Sequence, residues 1–340
     1  MKQIFSLTVI ITLAMYSTNV NATIRRVGNP GPKTALDYSD LQTAEDSCSY
    51  TKVDTILLYP NPNFNAPWQT GCDKKIVFIG YGYYLDTVSL GTGANTNLQS
   101  IIGRQRVIVS LLPGSDGCEF QGIDSLELYT YFSPINNILV KRCNLNMQHS
   151  FSILTNWAIV QSIVKLDAQN QATLSKVFIS NCIIANFSAS YNAGQSGIIQ
   201  NCVFTAGWED PSFVFKNNIF LLDYDGPLNS SSKYTYNVFV GNVTGVNNTN
   251  KKNQAANSIC IGYPNQSIFS NDKRWQLKAG SPAIGAGEGG IDCGIYAVGS
   301  PYPYVPSGIP AIPSFYLLDA PSLTGTEPTY QIIFSVKSNN

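Results

Sequence analysis

The chain has 340 residues, with 21 basic and 21 acidic side chains, so its formal net charge at neutral pH is zero. Charged residues make up 12% of the chain, against about 25% in an ordinary soluble domain. Because no block of Lys or Arg is present, the sequence does not predict a nucleic-acid-binding protein. A hydrophobic share of 44%, with 11% aromatic residues, predicts a folded chain with a large core rather than a disordered one.

The N-terminus predicts export. Lys2 precedes an apolar run over residues 4–15, and Val20-Asn21-Ala22 has the small residues that a signal peptidase recognises. We therefore expect residues 1–22 to be a signal peptide cleaved near Ala22, and the mature chain to be secreted or displayed at the cell surface. Later segments fall short of the ~20 apolar residues of a transmembrane helix, so no transmembrane segment is predicted.

Short β-like segments recur after the signal peptide. Residues 177–184, 198–204 and 213–220 superpose without gaps. Extending their register, with steps of 16 to 20 residues, gives one equivalent position per repeat: Ile123, Cys143, Ile163, Cys182, Cys202, Asn218 and Val238. A β-rich repeat of this length predicts a solenoid, since propeller blades need about 40 residues each and leucine-rich repeats have a different pattern.

Asparagine precedes the equivalent position in four successive repeats, at Asn181, Asn201, Asn217 and Asn237. Asparagine tolerates left-handed backbone geometry, and its amide can bond to a stacked amide in the next repeat. We therefore predict that these four residues occupy one sharp turn of the solenoid.

An asparagine ladder beside stacked aliphatic residues resembles the right-handed parallel β-helix of the pectate-lyase-like superfamily. The resemblance covers about residues 35–300. It includes a capping box from Ser39 to Gln42, which predicts a short helix over the first coil, and a segment at 278–294 that is similar to a closing motif of bacterial β-helix proteins. The tail after residue 300 resembles the ends of secreted and surface proteins of Bacteroidetes-type bacteria.

Three segments follow from these observations. Residues 1–22 are expected to be the signal peptide, and residues 23–300 an all-β parallel β-helix domain. Five prolines fall between residues 301 and 313, so we expect residues 301–340 to form a Pro-rich spacer followed by a short β tail.

Eight cysteines lie in the expected mature chain. Cys182 and Cys202 fall on neighbouring coils and point the same way, so we predict buried free thiols there. Two other pairs are disulfide candidates: Cys48 with Cys72, and Cys260 with Cys293. With one histidine and no Cys-x-x-Cys sequence, the chain predicts no metal site and no cofactor.

The resemblance implies one enzymatic alternative. Pectate-lyase-like proteins often cleave acidic polysaccharides by Ca²⁺-assisted β-elimination, which needs clustered carboxylates and a basic residue. The candidates are weak: Asp223, Asp225, Lys141 and Arg142. The characteristic lyase and polygalacturonase motifs are missing from the sequence.

The scarcity of charge therefore favours a non-catalytic binding or structural protein over an enzyme. Tyrosine clusters at residues 81–84 and 129–131 suit the stacking of sugar rings, so an extracellular polysaccharide or a surface protein is the expected partner. The alternative is a polysaccharide lyase or glycoside hydrolase, and Ca²⁺ is expected only in that case. The oligomeric state is left open.

Overall fold

The structure is a computed structural model of the chain. It describes residues 22–31, 33–61, 65–83, 105–131, 133–150, 152–169, 172–189, 194–208, 212–228, 233–264, 273–297, 299–310, 314–319 and 333–337. The signal peptide predicted over residues 1–22 thus lies, but for its last residue, outside the described residues. Much of the tail predicted after residue 310 also lies outside them.

Two long parallel sheets form the body of the molecule. Sheet A has eleven strands, which lie side by side in the order β2 (Asp37–Tyr38), β1 (Ile24–Val27), β3 (Asp54–Leu58), β5 (Ile76–Ile79), β7 (Glu119–Gln121), β10 (Leu139–Lys141), β13 (Ala158–Val160), β16 (Val177–Ser180), β18 (Gly197–Gln200), β20 (Phe213–Lys216) and β22 (Tyr234–Thr235). Sheet B has nine: β4 (Trp68–Cys72), β6 (Arg106–Leu111), β8 (Ser125–Tyr131), β11 (Asn144–Ser150), β14 (Ile163–Gln169), β17 (Ile183–Ala189), β19 (Val203–Phe204), β21 (Ile219–Phe220) and β23 (Val238–Phe239).

The remaining described elements are short. A third parallel sheet, sheet C, has three strands: β9 (Ile135–Asn136), β12 (Ile153–Thr155) and β15 (Thr173–Ser175). An antiparallel hairpin near the C-terminus joins β24 (Ser314–Asp319) to β25 (Ile333–Lys337). The α-helix is α1 (Leu41–Asp46), and four 3-10 turns cover Ala256–Ser258, Lys273–Trp275, Glu288–Gly290 and Pro306–Gly308.

From β3 to β23, consecutive strands of the chain lie in different sheets, and neighbours within one sheet are one coil apart. For example, β11 pairs in parallel with β8 on one side and with β14 on the other. The chain therefore winds through a parallel β-solenoid of about seven turns with very little helix. The all-β, right-handed parallel β-helix predicted from the sequence is confirmed as the fold class.

The core lies inside the coils because alternate side chains of a strand point to opposite faces. In β6 every second side chain is buried. Aromatic rings stack from coil to coil, with 4.4 Å between the ring centroids of Phe204 and Phe220 and 4.5 Å between those of Phe220 and Phe239. This stacking favours a constant register, since each ring packs on its equivalent in the next coil.

Helix α1 closes the N-terminal end, as the sequence predicts. Its buried residues Leu41 and Ala44 pack against the first coils. Asp40, rather than the expected Ser39, caps the helix by accepting a 2.7 Å hydrogen bond from the backbone N–H of Thr43. Gln42 instead accepts a hydrogen bond from the N–H of Gly71, on β4. The expected capping box is thus replaced by an aspartate cap and a bond that ties the helix to the first strand of sheet B.

Acid is expected to weaken this N-terminal end through Asp54. Burial opposes ionisation of Asp54, but the N–H groups of Ser49 and Thr23 and the guanidinium of Arg25 outweigh it and hold the pKa of Asp54 below its usual value. A lowered folded-state pKa contributes stability above the unfolded pKa of about 3.9 that is lost as the pH falls through the folded value. Asp54→Asn should therefore lower stability at pH 7 and flatten the further loss below pH 4.

Urea denaturation at several pH values checks this expectation. Asp223→Asn, at an exposed position, serves as the control and should show the same pH profile as the unaltered chain. Equal acid sensitivity in the Asp54→Asn variant and the unaltered chain would contradict the assignment.

One buried position per coil forms a ladder of hydrogen-bond acceptors. We call it the acceptor ladder, and it runs through Cys143, Ser162, Cys182, Cys202, Asn218, Asn237 and Asn250. In this ladder the backbone N–H of one coil donates to a side chain of the next, from Cys202 to Asn218 Oδ1 at 2.8 Å and from Asn218 to Asn237 Oδ1 at 2.9 Å. Cys, Ser and Asn occupy the position because each carries an acceptor.

The ladder corrects the predicted register at two places. The equivalent residues are Ser162 and Asn237, not Ile163 and Val238, because the coils that reach them are 19 residues long rather than 20. Asn237 therefore lies inside, on the acceptor ladder. The turn position that the sequence predicts for Asn237 is occupied by Tyr236, whose φ is 57°.

The turn itself is a row of residues with positive φ, which we call the corner ladder. Its members are Gly122, Arg142, Gln161, Asn181, Asn201, Asn217 and Tyr236. Asn181, Asn201 and Asn217 therefore lie on one sharp turn, with φ between 51° and 58°. Their amides do not hydrogen-bond to one another as the sequence predicts. They form hydrogen bonds with a different segment of the chain.

That segment, residues 287–310, is called the strap. It runs back along the corner ladder toward the N-terminal coils. Its contacts with the ladder are Glu288 N–H to Asn217 Oδ1 at 2.9 Å, Asn181 Nδ2 to the Ile295 carbonyl at 2.9 Å, Ser300 Oγ to Asn181 Oδ1 at 2.7 Å, Gln161 Nε2 to the Pro303 carbonyl at 2.6 Å and Arg142 Nη1 to the Ile309 carbonyl at 2.8 Å. The first ten residues of the expected Pro-rich spacer are thus packed on the β-helix. Tyr304, at their centre, is buried with its hydroxyl 2.6 Å from that of Tyr83.

Candidate ligand-binding face

The structure does not bring the four weak catalytic candidates together. Asp223 and Asp225 lie on an exposed loop after β21, where Asp225 accepts a hydrogen bond from the N–H of Asn242. Lys141 ends β10, four coils away, which corresponds to about 19 Å along the axis at ~4.8 Å per coil. Arg142 is buried on the corner ladder and holds the strap. These residues do not form one site.

The cysteines are all buried free thiols in the structure. Cys182 and Cys202 are on the acceptor ladder, and their predicted burial is confirmed; the structure describes both as free thiols. The structure describes Cys48, Cys72, Cys260 and Cys293 as free thiols, and the two disulfides expected from the sequence stay predictions. The Sγ of Cys72 lies 3.7 Å from that of Cys118, so the thiol in contact with it comes from the next coil and not from the segment after α1.

The predicted tyrosine clusters separate into two environments. Tyr83 is buried beneath the strap, and Tyr81 packs against Tyr59 with 5.3 Å between ring centroids. Tyr129 alternates with buried neighbours on β8 and points outward from sheet B. Tyr84 lies outside the described residues.

The outer surface of sheet A is apolar along one row. The row crosses five neighbouring coils through Leu139, Ala158, Phe178, Ile198 and Val214. Ile198 and Val214 keep 43% and 38% of their surface exposed. A row of four aliphatic side chains and one phenyl ring offers no hydrogen bonds to a hydroxyl-rich ligand, so this row does not suit a sugar.

The outer surface of sheet B is polar, and we call it the polar face. Its first row contains Ile108, Glu127, Asn146, Lys165 and Asn186. Its second row contains Ser110, Tyr129, Gln148, Asp167 and Ser188. Strand neighbours are about 4.8 Å apart, so the two rows present a regular grid of carboxylates, amides, hydroxyls and one aromatic ring.

Hydrogen bonds orient one end of the polar face. Arg106 Nε donates to Glu127 Oε1 at 2.7 Å, and the Tyr129 hydroxyl donates to Glu127 Oε2 at 3.1 Å. The hydrogen bond and the charge of Glu127 raise the pKa of Arg106. Both oxygens of Glu127 are thus engaged, which fixes its carboxylate and aligns the Tyr129 ring beside it.

Asn146 lies at the centre of the first row, between Glu127 and Lys165. Its Oδ1 atom is buried and has no hydrogen-bond partner. A buried acceptor without a partner costs about 1–3 kcal/mol, so the protein carries a free-energy cost at the centre of this row.

The charges of the polar face balance. Arg106 and Lys165 are cationic, and Glu127 and Asp167 are anionic. Within the described ranges, no three His, Cys, Asp or Glu residues are grouped as metal ligands would be. The face therefore offers hydrogen-bonding groups of both kinds without a dominant charge.

Of the residues of this face, only Tyr129 is predicted from the sequence as a ligand-binding residue, within the tyrosine cluster at 129–131. Glu127, Lys165 and Tyr129 carry no motif, and they align only when the coil register is known. The available signal was the alternation of polar with apolar residues over 144–148 and 163–167, which marks outward positions but not their neighbours.

Comparison of the chain with protein-family models, with curated proteins and with solved structures returns no match. The parallel β-helix fold is thus established from the structure alone. Among the described residues, no helix has both the length and the apolar character needed to cross a bilayer.

Proposed function

We propose that the chain is an exported β-helix protein of the pectate-lyase-like type whose polar face binds a neutral glycan. The order of charged, apolar and small residues over 1–22 supports export. We also propose that the chain is related to secreted and surface proteins of Bacteroidetes-type bacteria. The single observation that carries the binding function is the grid of polar side chains across five coils of sheet B.

The chemistry of the grid favours a glycan over a protein partner. Sugar rings present hydroxyls that both donate and accept, and the amides of Asn146, Gln148 and Asn186 do the same. Tyr129 supplies a flat ring for stacking, with its hydroxyl already oriented by Glu127. Protein interfaces, in contrast, are built around buried apolar and aromatic anchors.

Charge selects a neutral glycan over an acidic one. A uronate polymer would need an excess of cationic groups, whereas two cations and two anions balance on the face. The regular spacing of about 4.8 Å per coil extends over five strands, or about 19 Å. This length is suited to an extended oligosaccharide that lies along the solenoid axis.

Binding assays with defined polysaccharides test the proposal. Isothermal titration calorimetry with neutral β-glucan, xyloglucan and galactomannan should detect binding, while polygalacturonate and alginate should bind more weakly. The Asn146→Ala/Gln148→Ala double variant should bind the neutral glycan at least tenfold more weakly, about 1.4 kcal/mol. Gln200→Ala, on the outer surface of sheet A, is the matched control and should bind like the unaltered chain.

Glu127→Gln provides a second test of the proposal, because this substitution removes one anion from the polar face and leaves the face with a net positive charge. Binding of polygalacturonate should strengthen in this variant and that of neutral glycan should not. Absence of binding to every polysaccharide would reject the proposal in favour of a structural role.

The alternative function, a polysaccharide lyase, is tested by a separate activity assay. Incubation with polygalacturonate and alginate, with and without Ca²⁺, would give absorbance from an unsaturated product if the chain were a lyase. Turnover that disappears in the Asp223→Asn/Asp225→Asn double variant would establish the enzyme in place of the binding protein.

A further inference from the structure

Two thiols from neighbouring coils meet inside the N-terminal half of the solenoid. Cys72, at the end of β4, and Cys118, just before β7, are both fully buried, and their Sγ atoms are 3.7 Å apart. Both thiols also lie against the same carbonyl, that of Lys74, at 3.2 Å and 3.1 Å. We propose that Cys72 and Cys118 are joined by a disulfide bond that forms when the exported chain folds in an oxidising compartment.

The geometry differs from that of stacked cysteines. Cys182 and Cys202 occupy the same position on successive coils, so their side chains run parallel. Cys72 is paired across sheet B with Leu111, and Cys118 follows seven residues later, after the chain has turned toward sheet A. The two thiols therefore approach from different directions. A disulfide has an S–S length of about 2.05 Å, so the sulfur atoms must close by about 1.6 Å.

The chemistry is a thiol–disulfide exchange with an external disulfide as oxidant. The thiolate of one cysteine attacks a sulfur of the external disulfide and releases one external thiol. The second protein thiolate then attacks the mixed disulfide, forms the Cys72–Cys118 bond and releases the other thiol. Two protein thiols are oxidised, one external disulfide is reduced, and the protons of the protein thiols pass to the released thiolates.

The burial of the pair determines when this exchange occurs. The hydrogen bond with Cys118, together with burial, holds the pKa of Cys72 well above its usual value. The reactive thiolate is therefore scarce once the coils have closed, and an external disulfide cannot reach a side chain with no exposed surface. The bond must form while the N-terminal coils are still open.

The position of the bond explains what it would achieve. It joins two residues that are 46 positions apart, whereas an ordinary coil has about 20 residues. Between Cys72 and Cys118, the described strands β5 and β6 end and begin at Ile79 and Arg106. Cross-linking the two cysteines would hold β4 and β7 together irrespective of the length of chain between them, and it would restrict the unfolded state.

The test is a peptide map of the full chain after oxidative refolding. The reduced, denatured chain is refolded in a buffer of reduced and oxidised glutathione, quenched with acid, denatured and alkylated with iodoacetamide. We expect six of the eight cysteines to be alkylated and one linked peptide pair that contains Cys72 and Cys118. Reduction before alkylation should abolish the linked pair and give eight alkylated cysteines.

Two variants sharpen the result. Cys118→Ser should leave Cys72 alkylated and remove the linked pair, and its thermal midpoint after oxidative refolding should fall to that of the reduced chain. Cys143→Ser is the matched control: the next coil already has Ser162 at the equivalent position, and the Cys72–Cys118 link should persist. If Cys118→Ser does not fold, the peptide map of the unaltered chain still shows whether Cys72 and Cys118 are linked.

Alkylation of all eight cysteines after oxidative refolding would overturn the inference, as would a linked pair that joins Cys72 to Cys48. A chain refolded under reducing conditions and then exposed to oxidised glutathione should remain unlinked. Rapid linkage in that folded chain would contradict the proposed timing.

Discussion

Replacing Asn237 with alanine should lower the free energy of unfolding by about 3 kcal/mol. Asn237 has no exposed surface, and its Oδ1 accepts hydrogen bonds from the N–H and the Nδ2 of Asn218, at 2.9 Å and 3.1 Å. Its Nδ2 donates to the carbonyl of Phe215 at 2.9 Å and to Asn250 Oδ1 at 3.0 Å. Alanine removes these bonds at once and leaves buried groups of both neighbouring coils without partners.

Urea denaturation followed by circular dichroism measures this loss. The matched control is Asn257→Ala, the same substitution at an exposed position in the same third of the chain, which should change the free energy of unfolding by less than about 0.5 kcal/mol. Asn237→Ser restores one acceptor, as Ser162 does on an earlier coil, and should recover part of the difference. If Asn237→Ala behaved like Asn257→Ala, the acceptor ladder would not contribute to stability.

The fold can be predicted from the sequence because the acceptor-ladder position recurs once per coil and carries similar residue types, Cys, Ser or Asn. Cys182, Cys202 and Asn218 are buried acceptors at intervals of 20 and 16 residues, and a core position that recurs in this way is what a solenoid requires. The errors arose where the interval changed by one residue. Ile163 and Val238 are apolar and resemble core residues, so hydrophobicity alone favoured them over Ser162 and Asn237.

The strap and the polar face depend on contacts that local sequence does not encode. Asn181 meets Ile295 across 114 positions of the chain, and no periodic pattern links the two. Glu127, Asn146 and Lys165 are neighbours because two coils happen to have equal length. Proline content predicts an extended segment after residue 300, but the partner along which residues 301–310 lie is set by side chains of the corner ladder.

Asn181→Ala and Asn181→Gly should separate the two roles of the corner ladder. Asn181 has a φ of 54°, its Nδ2 donates to the Ile295 carbonyl, and its Oδ1 accepts from Ser300 Oγ. Glycine keeps the left-handed backbone but loses these bonds to the strap, at an expected cost of about 2 kcal/mol. Alanine loses the same bonds and adds about 1 kcal/mol of backbone strain.

Asn156 provides the control because it shares the backbone geometry and lacks the strap. Its φ is 57°, it is exposed, and its amide donates to Asn137 Oδ1. Asn156→Ala should therefore show the strain of about 1 kcal/mol and Asn156→Gly almost no change. Limited proteolysis gives a second readout, since both Asn181 variants should be cut faster within residues 295–310 while the Asn156 variants are not. Equal cleavage in all four variants would mean that the corner asparagines fix the turn but do not hold the strap.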